Sequence, residues 1–200
     1  MKFGDAVNDP KRPLNKTDDW ARRVTTRFRL LIDFAQTLPE IQKENIGAYG
    51  MSLGGCLIGL FIGVEERLKA GAMIVGGGNL PYILSHSKQF VVTGYLKARM
   101  KAENLKTKLD VERYLQKNIK IDSLYFAKRR KKNKQFAYMV ISEDDSAVPT
   151  KAQYDLYKAL DKPQLKKFPK GHFKAILKNL KPANHDHILK FFVDSIGHVK

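Results

Sequence analysis

The sequence predicts an α/β fold: a three-layer sandwich in which a mainly parallel sheet is covered by helices on both faces. The main observation is an alternation along the chain between short apolar runs, typical of buried strands, and longer segments with helical periodicity. Strands that are apolar on both sides need cover on both sides, which the crossover helices of a parallel sheet supply. The length of 200 residues suits one such domain.

About four strands are recognisable, at residues 45–49, 70–75, 136–141 and 164–168. The expected helices are 17–37, 53–68, 109–118, 149–160 and 185–196. Thr17 or Asp18 is expected to cap the first helix, and residues 1–16 are expected to form a loop.

Residues 79–127 are expected to form several helical pieces inserted between the second and third strands. We interpret this segment as a lid-like insertion within a single domain of residues 1–200. Tyr82, Phe90 and Tyr95 are its aromatic residues that we expect to shape a pocket.

The composition is that of a globular protein with a large positive charge. Hydrophobic residues make up 43% of the chain, and 37 Lys and Arg against 20 Asp and Glu give a formal charge of +17. Such a charge raises the question of an anionic partner. The most basic segment is Lys128–Lys132, with Lys134 just beyond it, and it directly precedes the third strand.

The single cysteine, Cys56, excludes an internal disulfide and a cysteine-rich metal site. We expect it to lie in the core. His185 and His187 are two positions apart on an expected helix and do not share a face, so we expect no metal site there. No stretch is long enough for a membrane span, and no apolar leader is recognisable, so a cytoplasmic location is expected.

Residues 50–54 read Gly-Met-Ser-Leu-Gly between an apolar strand and a helix. A serine at such a turn occupies a strained backbone and stands clear of the sheet, which suits a nucleophile. Gly50 and Gly54 would remove collisions between strand and helix, with Gly55 giving further room. The Leu53 amide would stabilise developing negative charge. The alternative is an ordinary turn in which Ser52 caps the helix.

A serine nucleophile needs a base and an acid that orients the base. Glu143, Asp144 and Asp145 follow the third strand, and His172 follows the fourth. With Ser52, these residues appear in the order Ser, acid, His.

On these motifs, residues 17–196 resemble the α/β-hydrolase superfamily, most closely small esterases, dienelactone-hydrolase-like proteins and prolyl-oligopeptidase-type catalytic domains. The resemblance implies that Ser52 is the nucleophile, His172 the base and Asp145 the acid, while Asp144 and Glu143 compete with Asp145. Asp145 is preferred because its distance to Val148-Pro149 matches the family pattern. No cofactor and no metal are implied.

The first four strands of that fold are not recognisable, so the chain resembles an N-terminally truncated α/β hydrolase. No candidate for the second oxyanion donor is found. The strand Asn45–Tyr49 would become an exposed edge, which could pair with a second copy to form a homodimer.

Three functions are therefore weighed. The first is a serine hydrolase acting on a small-molecule ester, rather than an amide or a peptide. The second is a catalytically impaired remnant or interaction module. The third is a basic protein that binds anions or nucleic acid. For nucleic acid there is no strong case, because no aromatic residues interleave the run Lys128–Lys134, which we place on the rim opposite Ser52 and interpret as a solvated loop.

Overall fold

The computed structural model describes residues 15–132, 134–169, 171–181 and 185–197. Most of the loop expected at residues 1–16 lies outside this part. The strands are β1 (Ile46–Met51), β2 (Leu68–Ile74), β3 (Phe136–Ser142) and β4 (Gln164–Phe168). The helices are α1 (Asn15–Ala35), α2 (Leu53–Val64), α3 (Leu80–His86), α4 (Phe90–Ala102), α5 (Lys108–Asn118), α6 (Ser123–Ala127), α7 (Thr150–Ala159), α8 (His172–Leu180) and α9 (Asp186–Ile196), with a 3₁₀ turn at Lys128–Lys131.

The four strands form one parallel sheet in the order β1-β2-β3-β4. Met73 of β2 lies opposite Gly50 of β1 and Met139 of β3. The predicted α/β sandwich is therefore confirmed. Because all strands run the same way, their carboxyl ends meet at one edge, where the loops after β1, β3 and β4 come together.

Two apolar layers flank the sheet, and strand residues alternate between them. Met73 and Met139 face α1, α2 and α7, whereas Ile74 and Val140 face α8 and α9. This alternation follows from the two-residue period of a strand. It makes both central strands mostly apolar, which is why they are recognisable in the sequence.

In the described part of the chain, β4 pairs with β3 alone and forms one edge of the sheet, and β1 pairs with β2 alone and forms the other. Tyr49 on this strand is 51% exposed. The helices above and below carry exposed apolar side chains too, including Leu31, Phe34 and Val193. Both flanking layers thus present apolar side chains to solvent.

Two of the expected boundaries are wrong near residue 65. The helix expected to reach residue 68 ends at Val64, and Leu68 already belongs to β2 and is fully buried. The buried Gln135 side chain closes this turn, since its Nε2 donates to the carbonyls of Glu65 (2.8 Å) and Leu68 (2.7 Å). This contact spans 70 positions, so the local sequence does not reveal it.

The expected cap of the first helix is also wrong. The helix includes Asn15, so Asp18 lies within it. The Asp18 carboxylate instead accepts hydrogen bonds from the amides of Lys120 (3.0 Å) and Ile121 (3.0 Å). It therefore holds the segment that leads into α6 against α1.

Helices α3 to α6 form the segment expected between β2 and β3, with a small core of their own that includes Leu84, Leu96, Val111 and Leu115. Asp122 ties the later part of the segment to its start by accepting from the amides of Asn79 (3.0 Å) and Leu80. None of the described helices is both long and apolar enough to cross a membrane.

Candidate active site

Ser52 joins β1 to α2 with a left-handed backbone, at φ 55° and ψ −120°. Its amide donates to the Ile74 carbonyl (2.9 Å), and its carbonyl accepts from Cys56 (3.0 Å) in the first turn of α2. A non-glycine residue in such a conformation costs about 1–3 kcal/mol, which the surrounding hydrogen bonds must offset. The turn lifts the Ser52 side chain to the carboxyl edge of the sheet.

The glycines around Ser52 have unequal roles, which corrects the expectation that Gly50 and Gly54 both prevent a collision. A Cβ at Gly50 would lie 2.4 Å from the backbone of Gly54, whereas a Cβ at Gly54 would have nothing within 4 Å. The second tight position is Gly55, where a Cβ would lie 2.9 Å from the Cα of Gly76. Strand β1, helix α2 and the end of β2 thus meet at Gly50, Gly55 and Gly76.

Asp145 lies in the loop after β3 with its side chain fully buried. Its Oδ1 accepts from the amides of Ala147 and Val148, both at 2.9 Å. Its Oδ2 accepts from Gln153 Nε2 (2.8 Å) and contacts His172 Nδ1 (2.7 Å). The carboxylate is therefore held in one orientation by three donors besides the histidine.

The two competing acids, Glu143 and Asp144, have different environments from that of Asp145. Glu143 is exposed, accepts from Tyr154 Oη (2.8 Å) and pairs with Lys167 (3.2 Å). Asp144 is exposed and takes part through its backbone, since its carbonyl accepts from the Gly171 amide (3.1 Å). Of the three acids, Asp145 is the one in contact with His172.

His172 begins α8, directly after Gly171, whose φ of 82° favours glycine. His172 is 5% exposed, and its imidazole contacts Asp145 through Nδ1 and Ser52 Oγ through Nε2, at 2.7 Å and 2.8 Å. Because an ionised carboxylate only accepts, Nδ1 carries the proton and Nε2 accepts from the Ser52 hydroxyl. Residues 52, 145 and 172, which follow three different strands, thus form one continuous chain of hydrogen bonds.

Leu53 is the first residue of α2. Its amide belongs to the first turn of the helix, whose N–H groups have no partner four residues earlier within the helix. These groups and the helix dipole favour negative charge next to the Ser52 hydroxyl. The arrangement can accept a proton from a hydroxyl and stabilise an adjacent oxyanion.

Sequence reasoning missed Gln153 as part of this site. It is fully buried on α7, donates to Asp145 and accepts through Oε1 from the Ser142 amide (3.1 Å). It lies three residues before the buried Leu156, so helical spacing placed a polar residue on an apolar face. That mismatch is the signal that could have found it. Helix α8 was also missed, although Ala175 and Ile176 pack on the sheet from it.

The Cys56 thiol accepts a hydrogen bond from the Gly77 amide (3.2 Å). Burial raises the pKa of this thiol to about 11. A protonated thiol is a poor nucleophile, so Cys56 packs beside the site without competing with Ser52.

His187 binds Tyr138 Oη through Nδ1 (3.0 Å) and Asn179 Oδ1 through Nε2 (2.9 Å). Burial, together with the nearby positive charge of Lys166, lowers the pKa of His187. Across the part of the chain that the structure describes, no group of three His, Cys, Asp or Glu side chains could hold a metal ion.

The three aromatic residues expected to shape a pocket lie in three different environments. Phe90 is 90% exposed, and Tyr95 is 3% exposed inside the core of α3 to α5. Tyr82 stacks on His86 and packs against the cluster that includes Val148, near Cys56. The helical periodicity does not distinguish these three environments.

The fold is similar to those of solved hydrolase structures. An acetyl xylan esterase from Paenibacillus sp. R4 aligns with a TM-score of 0.68 and 19% identity, over 94% of this chain and 55% of the esterase. The α/β hydrolase GrgF from Penicillium sp. sh18 aligns with a TM-score of 0.63 and 15% identity, over 89% and 73%. An acylaminoacyl peptidase from Pyrococcus horikoshii aligns with a TM-score of 0.59 and 17% identity, over 85% and 27%.

The protein therefore has an α/β-hydrolase-type fold. The chain spans about half the length of the esterase and about a quarter of the peptidase that it matches. No protein-family model matches the sequence, and no curated protein matches it.

Proposed function

We propose that this chain is a serine hydrolase that cleaves esters through an acyl-enzyme on Ser52. The observation that carries the proposal is the chain of hydrogen bonds Ser52 Oγ–His172 Nε2 (2.8 Å) and His172 Nδ1–Asp145 Oδ2 (2.7 Å). A hydroxyl next to a neutral imidazole, whose other nitrogen is held by a buried carboxylate, is the arrangement that activates a serine.

In the proposed reaction, Ser52 Oγ attacks the ester carbonyl while His172 Nε2 takes the hydroxyl proton. His172 then gives that proton to the departing alkoxide, which leaves as an alcohol. Water attacks the acyl-enzyme with His172 again as the base, and releases a carboxylic acid and free Ser52. Asp145 keeps the proton on Nδ1 and stabilises the imidazolium that forms in each step.

Backbone donors would stabilise the oxyanion of each tetrahedral intermediate. The Leu53 amide at the start of α2 is one donor in this proposal. Removing one donor of a pair typically lowers kcat by about 10²–10³. We predict that the described residues provide no second donor for the oxyanion. We therefore expect turnover to be slow when they act alone.

Two observations favour a small acyl group. A cavity of about 50 Å³ lies one residue beyond Ser52; it is lined by Leu53 and Cys56 but not by Ser52 itself, and mainly by apolar side chains such as Leu57 and Ile83. Two of the structurally similar proteins carry the name acetyl xylan esterase, from Paenibacillus sp. R4 and from Thermoanaerobacterium sp. JW/SL YS485. We therefore propose an ester of a short carboxylic acid, with the alcohol part unassigned.

The test is labelling by a fluorophosphonate probe, combined with hydrolysis of p-nitrophenyl acetate and p-nitrophenyl octanoate. Wild-type protein should be labelled and should prefer the acetate. Ser52→Ala should lose labelling and at least about 10³-fold in turnover. Ser146→Ala removes an exposed serine at the same sheet edge and should retain both.

Folded wild-type protein that is neither labelled nor active would sink the proposal and leave the remnant or interaction module. Equal labelling of Ser52→Ala would show that another residue reacts. Because labelling needs only an activated serine and turnover needs the whole cycle, labelling without turnover would retain Ser52 as nucleophile and reject efficient catalysis.

A further inference from the structure

A second cavity lies at the other end of α2. It measures about 810 Å³ and is bounded by the end of that helix at Gly63 and Val64, by α1 and by the segment from Ile121 to Lys132. Ser52 precedes α2, so the twelve residues to Val64 separate the two places by roughly 18 Å. The cavity is therefore remote from Ser52, although it shares Leu60 and Ile121 with the small cavity beside Leu53.

Basic residues from two distant parts of the sequence meet at this cavity. Arg22 and Arg29 come from α1, and Arg129 and Lys132 come from the basic run that the proposed hydrolase reaction leaves without a role. Arg22 and Arg29 are seven residues apart, which is two helical turns, so they share a face. One acidic residue, Glu66, also lines the cavity, which leaves an excess of three positive charges.

Some basic residues near this cavity serve the fold. Arg29 donates to the Val64 carbonyl at the end of α2 and lies 3.3 Å from the Glu65 carboxylate. Arg130 donates through Nε to the Leu160 carbonyl (2.9 Å) and through Nη1 to that of Gln135 (2.7 Å). Burial lowers the pKa of Arg130, consistent with its position against the body of the protein.

The other three basic side chains that line the cavity are available to bind an anion. Within the described ranges, Arg22, Arg129 and Lys132 form no ion pair. All three side chains are exposed to solvent at the cavity. Their charges therefore have no acidic partner among the described residues.

The fold also holds one of these cations in place. Arg130 fixes the 3₁₀ turn of Lys128–Lys131, which sets the position of the neighbouring Arg129. The Arg129 guanidinium lies over the Phe126 ring, 5.1 Å from its centre. A side chain ordered in this way loses less entropy when it binds an anion.

We propose that this cavity binds a small ligand that carries phosphate groups. Guanidinium groups match phosphate oxygens with paired hydrogen bonds, and two of the three available cations are arginines. The volume lies within the range of small-molecule sites, and Leu60, Val64 and Ile121 provide apolar walls. Binding of a nucleic-acid strand would favour free aromatic faces for its bases, but Phe126, the aromatic residue in the lining, is covered by Arg129.

The test is isothermal titration of the full chain with tripolyphosphate at low ionic strength. We expect saturable binding with one site. The double variant Arg22→Gln, Arg129→Gln should weaken this binding by at least about tenfold. The control Arg27→Gln, Arg113→Gln removes the same charge from exposed positions outside the lining, and should change the dissociation constant by less than about twofold.

Equal weakening of binding in the control variant would show that overall charge causes the effect, and would overturn the proposal. Absence of saturable binding to the wild-type protein would overturn it too. A 20-nucleotide RNA that binds through Arg22 and Arg129 more tightly than tripolyphosphate would replace it with nucleic-acid binding. Thermal melts establish whether the variants fold. If the double variant does not fold, Lys132→Gln is the milder replacement and should weaken binding by about threefold. None of these outcomes depends on turnover at Ser52.

Discussion

Gln153 and His172 contact the same oxygen of Asp145, at 2.8 Å and 2.7 Å. Gln153 reaches it from α7, through a side chain that is fully buried and also holds the Ser142 amide at the end of β3. It thus connects the acid of the candidate site to the strand that precedes it. In the proposed mechanism Gln153 is a positioning residue, because it contacts Asp145 and not the reacting atoms.

Gln153→Leu should destabilise the protein by about 3 kcal/mol, because it leaves the Ser142 amide and the Val148 carbonyl without their side-chain partner. Urea denaturation measures this loss. Gln116→Leu, which removes an exposed glutamine that contacts Glu112, should cost less than about 0.5 kcal/mol.

A purely structural role would lower stability alone, whereas a positioning role also slows fluorophosphonate labelling of the folded fraction. Unchanged labelling per folded molecule in Gln153→Leu would contradict the positioning role.

Gly50→Ala and Gly54→Ala should differ sharply although both flank Ser52. The new Cβ at residue 50 would lie 2.4 Å from backbone atoms, which side-chain movement cannot relieve, so we expect a loss of about 3 kcal/mol or more. At residue 54 the new Cβ meets nothing within 4 Å, and alanine favours the helix, so stability should change by at most about 1 kcal/mol.

Urea denaturation of both variants checks this difference, and each serves as the control for the other. Similar losses of stability in the two would show that the packing of strand against helix at Gly50 is not as tight as described.

Because of Glu65, the free energy of unfolding should fall as the pH is lowered into the acid range. Hydrogen bonds from Arg67 (2.8 Å and 3.0 Å) hold the pKa of the Glu65 carboxyl below its ordinary value, with the charge of Arg29 acting in the same direction. A group whose pKa is lowered by folding stabilises the protein above its unfolded pKa. That contribution is lost as the pH falls through the folded pKa.

Glu65→Gln should therefore lose about 2 kcal/mol at neutral pH. Its stability should also fall less steeply than that of wild type between about pH 5 and pH 3. Chemical denaturation at a series of pH values measures both effects. Glu66→Gln, at the adjacent exposed position, is the control and should follow the wild-type curve.

The unpaired edge of β1 should mediate association with a second copy. Pairing of β1 with its symmetry mate would be antiparallel and would continue the sheet across both chains. It would also bring together the exposed apolar side chains of α1, such as Leu31 and Phe34, and those of α9, such as Val193. We expect light scattering after size-exclusion chromatography to give the mass of a dimer.

Tyr49→Lys places a charge on this edge and should give a monomer. Tyr125→Lys adds the same charge at a residue that is 75% exposed on α6, and should leave the dimer intact. A wild-type monomer at every concentration would rule out pairing through β1.

Much of the fold could be predicted because its two central strands are mostly apolar on both faces. β2 and β3 are central, so nearly every residue in them is buried, and their runs stand out from the helical segments. Boundaries set by distant contacts were not predictable. The end of α2 depends on Gln135, and the environment of Asp18 depends on the amides near residue 120.

Residue types and their order indicated Ser52, Asp145 and His172 as a group, because each follows a strand and parallel strands end at the same edge. The sequence alone could not distinguish among Glu143, Asp144 and Asp145, because these neighbouring carboxylates differ only in the orientation that the loop gives their side chains. In the folded chain Asp145 is buried, has four hydrogen-bond contacts and is the one of the three that contacts His172.

The sequence alone determined the class of fold and the serine at a strand-to-helix turn, because both depend on local patterns of apolar residues and glycine. Tertiary structure decided that Gly55 rather than Gly54 is the close-packed position, that Gln153 holds the acid, and that Arg22 and Arg129 meet at one cavity. Each of these depends on elements far apart in the chain, and their distances are fixed only when the helices pack on the sheet.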